Sequence, residues 1–166
     1  MVAISRGAVL IHSAPDALRP HVEWAIGSTL GWPVTIDWQT QPVLAGSWRG
    51  EISWSGPSGM GAAIASALRG WEHLRFEVTE DATAEFDGGR WMHTPDLGIF
   101  YAQADTAGNI VVPENRILAA IENAGANTVE LHRELNLALG RAWDAELEPF
   151  RSCQDLNPVV WLHRVG

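Results

Sequence analysis

The 166-residue chain contains no lysine; all 11 of its basic residues are arginine. This excludes Schiff-base chemistry on a lysine amine and the phosphate-loop lysine of nucleoside triphosphatases. A GC-rich coding sequence accounts for the same bias without invoking any function. Cys153 is the only cysteine, so there is no internal disulfide and no multi-cysteine metal site. No apolar run approaches the ~20 residues of a membrane span. The run from Ala8 to Ile11 is cut short by His12 and preceded only by Arg6, too little for a secretory signal. A cytoplasmic protein without a membrane partner is therefore expected. Positive charge is also short: 20 acids against 11 arginines give a net charge of −9, spread along the chain. Such a surface repels phosphate backbones, so no nucleic-acid partner is expected.

Tyrosine is nearly missing, with one against nine tryptophans, which predicts a core built around indoles. Hydrophobic residues make up 46% and charged residues 19%, a globular balance that argues against disorder. The length suits one domain spanning residues 1–166.

Along the chain, Ala8 to His12 reads as a buried strand. A helix follows with Leu18, Val22, Ala25, Ile26 and Leu30 at helical spacing, ended by Gly31. Pro33 to Gln39 alternates, with Val34, Ile36 and Trp38 opposite Thr35, Asp37 and Gln39. Ser47 to Ser55 alternates likewise, placing Trp48, Ile52 and Trp54 on one face and Arg49, Glu51 and Ser53 on the other. Gly61 to Arg69 is a small-residue helix, and His73 to Thr79 alternates again, with Arg75 and Glu77 away from Leu74, Phe76 and Val78. The order predicts an α+β fold with a ferredoxin-like βαββαβ core, an antiparallel sheet and both helices on one face.

Beyond an acidic loop at residues 80–87, the chain predicts an extension: a strand meander, a helix pair and a C-terminal strand. The meander covers Gly89 to Val112. Pro113 opens a helix with Ile117, Leu118 and Ile121 toward the core. Asn127-x-x-Glu130 starts a second helix running to about Glu148, before Pro149. Pro158 to His163 is the last strand.

Three constellations bear on function. The open sheet face collects Asp37, Arg49, Glu51, Arg75 and Glu77. It reads as a polar groove with Arg49 and Arg75 holding an anion, as a solvated face of cross-strand ion pairs, or as a face covered by the C-terminal half. Gly56 to Gly61, between strand and helix, offers Gly59 and Gly61 as an anion-binding turn at a helix N-terminus, or as a tight turn capped by Ser58. His12 and His93 end strands, and His93 with Asp96 or Glu80 forms a candidate acid–base pair. Catalytic candidates are thus His93, Glu77 and Asp96. No metal-ligand spacing is present; in His21-x-Glu23 the cysteine pair of zinc deaminases is missing. Neither metal nor cofactor is expected. An RNA-recognition reading of Arg49-Gly50 fails because Glu51 and Ser53 stand where aromatics belong.

Four strings resemble a family of uncharacterised actinobacterial proteins, a domain of unknown function. They are His21-Val22-Glu23-Trp24-Ala25, Leu74 to Asp81, Arg90-Trp91-x-His93-Thr94-Pro95-x-Leu97-Gly98, and Leu147-Glu148-Pro149-Phe150-Arg151. The resemblance spans about Ala8 to Trp161 and implies a cytoplasmic bacterial protein. It carries no activity, cofactor or catalytic residue.

The sequence leaves two classes of function. One is a binding or regulatory module for a small anionic molecule or a protein partner, a homodimer if the leucine stripe Leu131, Leu135 and Leu139 is left uncovered by its partner helix. The other is a small enzyme with a His/carboxylate pair and an arginine anion clamp. A pocket where a histidine and an acid converge within hydrogen-bond reach would favour the enzyme.

Overall fold

In a computed structural model, residues 2–153 are described, so the expected strand at Pro158 to His163 lies outside them. The architecture is α+β. Seven strands form one antiparallel sheet: β1 (Ile4–Pro15), β2 (Gln39–Thr40), β3 (Ser47–Pro57), β4 (Arg75–Glu80), β5 (Gly88–Thr94), β6 (Gly98–Ala104) and β7 (Ile110–Val111). Their order is β2-β3-β1-β4-β5-β6-β7. The first four strands follow the order of a split βαβ unit, and the meander lengthens the sheet beyond β4.

Helices α1 (Arg19–Leu30) and α2 (Met60–Leu68) cover one face. The core beneath them is mainly aliphatic: Val9, Ile11, Val22, Ile26, Ile64, Leu68, Leu74 and Val78, with Phe76 and Trp54. The indole core is thus not what forms. Trp54 is buried, but Trp24 and Trp32 on α1 and its exit remain 70% and 45% exposed. Trp54 dictates the glycine opposite it: a Cβ on Gly7 would lie 2.7 Å from the indole and 1.8 Å from the Thr79 carbonyl oxygen. That cross-strand pair therefore needs a residue without a side chain.

The alternating segment 33–39 does not become a full strand. Glu23 on α1 accepts from the Ile36 amide and from Trp38 Nε1, both at 2.9 Å. The amide that would feed a ladder is taken by a helix carboxylate, and pairing begins only at Gln39 opposite Arg49. The apolar side of the segment still packs on the core through Ile36, Val34 and Trp38. Gly50 lets it cross, since a Cβ there would meet Ile36 Cγ2 at 2.3 Å.

Three helices follow the meander instead of two: α3 (Glu114–Ala124), α4 (Thr128–Ala138) and α5 (Arg141–Ser152). The expected long helix breaks at Gly140, which has φ +73° and abuts Met92 and Phe100 so closely that no Cβ fits. Pro149 lies inside α5 and does not end it. Helix α5 packs on the second sheet face, where Leu147, Met92, Phe100 and Ala102 form a smaller core flanked by Trp143 and Ile110. On α3 the small residues point inward: Ala120 and Ala124 are buried, whereas Ile117, Leu118 and Ile121 are 39%, 55% and 51% exposed. The expected inward orientation of those three is therefore reversed.

Candidate functional site: a charged cleft beside the β1 irregularity

Helix α5 packs over the second face at β5 and reaches β1, and among the described residues the face above β1, β3 and β2 is left partly open. There a cleft of about 510 Å³ is lined by His12, Asp37, Arg49, Glu51, Glu77 and Arg151, with Leu10, Gln39 and Phe150 among its other walls. Of the residues expected to bind a ligand, Asp37, Arg49 and Glu51 meet in this cleft, beside the acid–base candidate Glu77.

The cleft forms where β1 loses its regular pairing. Toward β3 the register shifts between Ile11 and Ala14, and toward β4 between Ile11 and Ser13. Such irregularities re-aim side chains and recur beside functional sites. Here the shift falls on His12, with Arg49 of β3 on one side and Glu77 of β4 on the other. His12 is 7% exposed, and its backbone carbonyl accepts from Gln41 Nε2 at 2.7 Å.

Glu77 is the hub of the floor. Its carboxylate lies 2.6 Å from His12 Nε2. Arg151 of α5 grips it as a fork, with Nε to Oε2 at 2.9 Å and Nη2 to Oε1 at 2.6 Å. Arg90 of β5 donates to the same carboxylate at 2.9 Å. Asp144 of α5 accepts from both guanidiniums at 3.1 Å. Burial pushes the Glu77 carboxyl up, but hydrogen bonds from His12, Arg151 and Arg90 outweigh it and hold the group well below the usual carboxylate range. Glu77 is therefore ionised and unsuited to exchange protons itself. It accepts from His12 Nε2, so in the neutral form of the imidazole Nδ1 is the acceptor nitrogen. Among the described residues no hydrogen bond is made to Nδ1.

Arg49 has a different environment. Nη1 donates to Cys153 Sγ at 3.2 Å and Nη2 to Gln39 Oε1 at 3.4 Å. Its Nε is buried without a hydrogen-bond partner among the described residues, and no carboxylate there pairs with it. The Cys153 thiol is turned to the Phe150 carbonyl at 2.9 Å.

The other expected site residues are placed elsewhere. Arg75 donates to Ser13 Oγ at 3.3 Å and lies over the Phe150 ring, 4.6 Å from its centroid. The amides of Gly59 and Gly61 at the start of α2 are taken by Glu80, whose two oxygens accept at 2.7 and 2.8 Å. The anion position of that turn is filled by the chain's own carboxylate. His93 is buried on the α1/α2 side, stacked on Phe76, with Nδ1 2.7 Å from the Leu74 carbonyl. It faces away from Glu77, and Asp96 is exposed in the turn beyond it. Arg90, Asp144 and Arg151 were missed by the sequence reading. Their signal was modest: Asp144 and Arg151 are seven residues apart, on one side of a helix, and Arg90 shares a face of β5 with Met92. Among the described residues no group of three or more His, Cys, Asp or Glu could hold a metal ion.

These features define an α+β protein with a charged cleft on the half-covered second face of an antiparallel sheet. The model of one family, described as "Protein of unknown function (DUF3145)", matches residues 8–164, and the chain belongs to that family. The comparisons with curated proteins and with solved structures found no match. No helix among the described residues is long and apolar enough to cross a membrane.

Proposed function

We propose that the cleft binds a small anionic molecule through Arg49, and that the protein is a ligand-binding or regulatory module of the actinobacterial cytoplasm. Arg49 carries the reading. A guanidinium at a cleft wall, paired with no carboxylate among the described residues and with its Nη groups bound only to a thiol and an amide oxygen, leaves hydrogen-bonding capacity that an anion would complete. Asp37 and Glu51, exposed on the same walls, would repel a second negative group and favour a monoanion. The single cysteine supports the compartment and the sequence resemblance supports the source. The net charge of −9 speaks against nucleic acid as partner.

The test is saturation-transfer NMR with acetate and pyruvate as probes and inorganic phosphate as an unlabelled competitor. Pyruvate should give a signal that Arg49→Ala abolishes, while that variant, losing only a half-exposed side chain, keeps its melting temperature within about 2 °C. Undiminished pyruvate binding by Arg49→Ala would remove the assignment.

A second reading, the small enzyme, is favoured by one observation: His12 and Glu77 converge at 2.6 Å inside the cleft. As for oligomeric state, the exposed strip Ile117, Leu118, Ile121 and Val129 on α3 and α4 supports pairing with a second copy.

A further inference from the structure

The cleft holds more than an anion anchor. On its walls the register shift of β1 sets an imidazole between an unpaired guanidinium and a carboxylate that four hydrogen bonds keep ionised. We infer that His12 is a proton-transfer base acting on a small 2-oxo acid, a carboxylate whose neighbouring carbonyl acidifies the adjacent C–H. The inference rests on the proposed anion site at Arg49 and deepens it.

The inventory of the cleft narrows the chemistry. Among the described residues lining it there is no serine, threonine or cysteine, and the thiol beside Arg49, that of Cys153, is turned to the Phe150 carbonyl. Among the described residues, what remains is one base with a nitrogen that makes no hydrogen bond, one cation without a carboxylate partner and acidic groups that disfavour a dianion. A reaction needing only these is proton removal from carbon next to a carbonyl. A 2-oxo acid presents a carboxylate oxygen and its keto oxygen side by side, which suits the planar fork of a guanidinium.

With both oxygens on Arg49, the step balances without a co-reactant. The C–H bond next to the carbonyl breaks and an N–H bond forms at His12 Nδ1. The electron pair moves into the carbonyl, giving an enolate whose negative oxygen lies against Arg49. The proton then returns from His12 to carbon or to the enolate oxygen, so the net change is exchange or keto–enol isomerisation. Arg49 stabilises charge that appears only as the proton leaves, which is the differential interaction catalysis requires. Glu77 acts through His12 as a positioning residue. It fixes the Nε2 proton and so keeps Nδ1 as acceptor, while Arg151 and Arg90 keep Glu77 from taking a proton itself.

The experiment uses pyruvate as probe, with the full chain in D₂O, and follows its methyl signal by proton NMR. The wild type should exchange methyl protons for deuterium roughly a hundredfold faster than protein-free buffer. His12→Gln should keep the saturation-transfer signal from bound pyruvate and fall to the buffer rate; Arg49→Ala should lose both. Because His12→Gln could unfold, the wild type is decisive alone. If it gives the saturation-transfer signal and exchanges at the buffer rate, proton transfer is refuted and the anion site stands. If it gives neither signal nor exchange, both readings fall. Full exchange by a folded His12→Gln protein would remove His12 from the role.

Discussion

At the scale of single residues, Glu77 joins stability to pH. Its carboxyl ordinarily titrates at 4.5 and is held well below that in the folded chain. A depressed folded value means the ionised form is favoured by folding. The stabilisation is therefore complete above the ordinary value, and it is lost as pH falls through that range toward the folded value. Melting temperature measured between about pH 6 and pH 3 should drop on the acid side, and Glu77→Gln should remove part of that slope. At neutral pH the same variant leaves Arg151 and Arg90 against an uncharged amide. Breaking a buried pair by removing one partner costs about 3–5 kcal/mol, which urea denaturation would read. An acid limb unchanged by Glu77→Gln would mean that other carboxyls set it.

The residue scale is also where the sequence was partly legible. Alternation placed Arg49, Glu51, Asp37 and Glu77 on the side away from the first core. It also placed Arg75 there, but the shift at Ile11–Ser13 gives that guanidinium a hydroxyl and an aromatic ring as neighbours in place of the cleft. A strand irregularity is a property of two pairings at once, so period-2 counting along one strand cannot see it. The partners of Glu77 are hidden for a related reason. Arg151 lies 74 residues further along and Arg90 13, so the first contact depends on how α5 docks and the second on how β5 pairs with β4.

At the scale of elements, helix ends show why some boundaries were readable and others not. Asn127 caps α4 by accepting from the Val129 and Glu130 amides, as its spacing to Glu130 suggested. The split into α4 and α5 was masked by apolar residues that continue at helical spacing across Gly140, whose conformation and tight packing stop the helix. Helix α5 closes half of the second face and brings Arg151 to Glu77, so its hold on the sheet should control the cleft. Leu147 is fully buried between helix and sheet. Leu147→Ala should cost about 2–5 kcal/mol and raise amide hydrogen exchange along α5 more than along α1. Uniform protection across both helices would show that α5 does not move as a separate layer.

For the molecule as a whole, the two sheet faces divide the work. The first carries an almost complete aliphatic core. The second carries a smaller one plus the charged cleft. The α3–α4 pair stands apart from both, with its alanines turned in and Ile117, Leu118 and Ile121 turned out. The sequence could show that this helix has an apolar stripe, but not which side of it faces the rest of the chain, since both sides carry apolar residues. An uncovered stripe of this kind needs a partner or limits solubility. Sedimentation velocity at roughly 50 µM should give a dimer for the wild type and a monomer for Leu118→Asp, a concentration at which micromolar pairing is nearly complete. A wild-type monomer there would leave the strip without this explanation.

Glu80, seated on the amides of Gly59 and Gly61, gives the start of α2 a resident counter-ion fixed by the fold itself. Dissolved phosphate or nucleotide would have to displace a tethered rival, whose effective concentration exceeds the millimolar level reached with short flexible tethers. A glycine-rich turn that looks vacant in the primary structure is thus self-quenched. Replacing Glu80 by an uncharged residue would convert this buried joint into an empty receptor for anions.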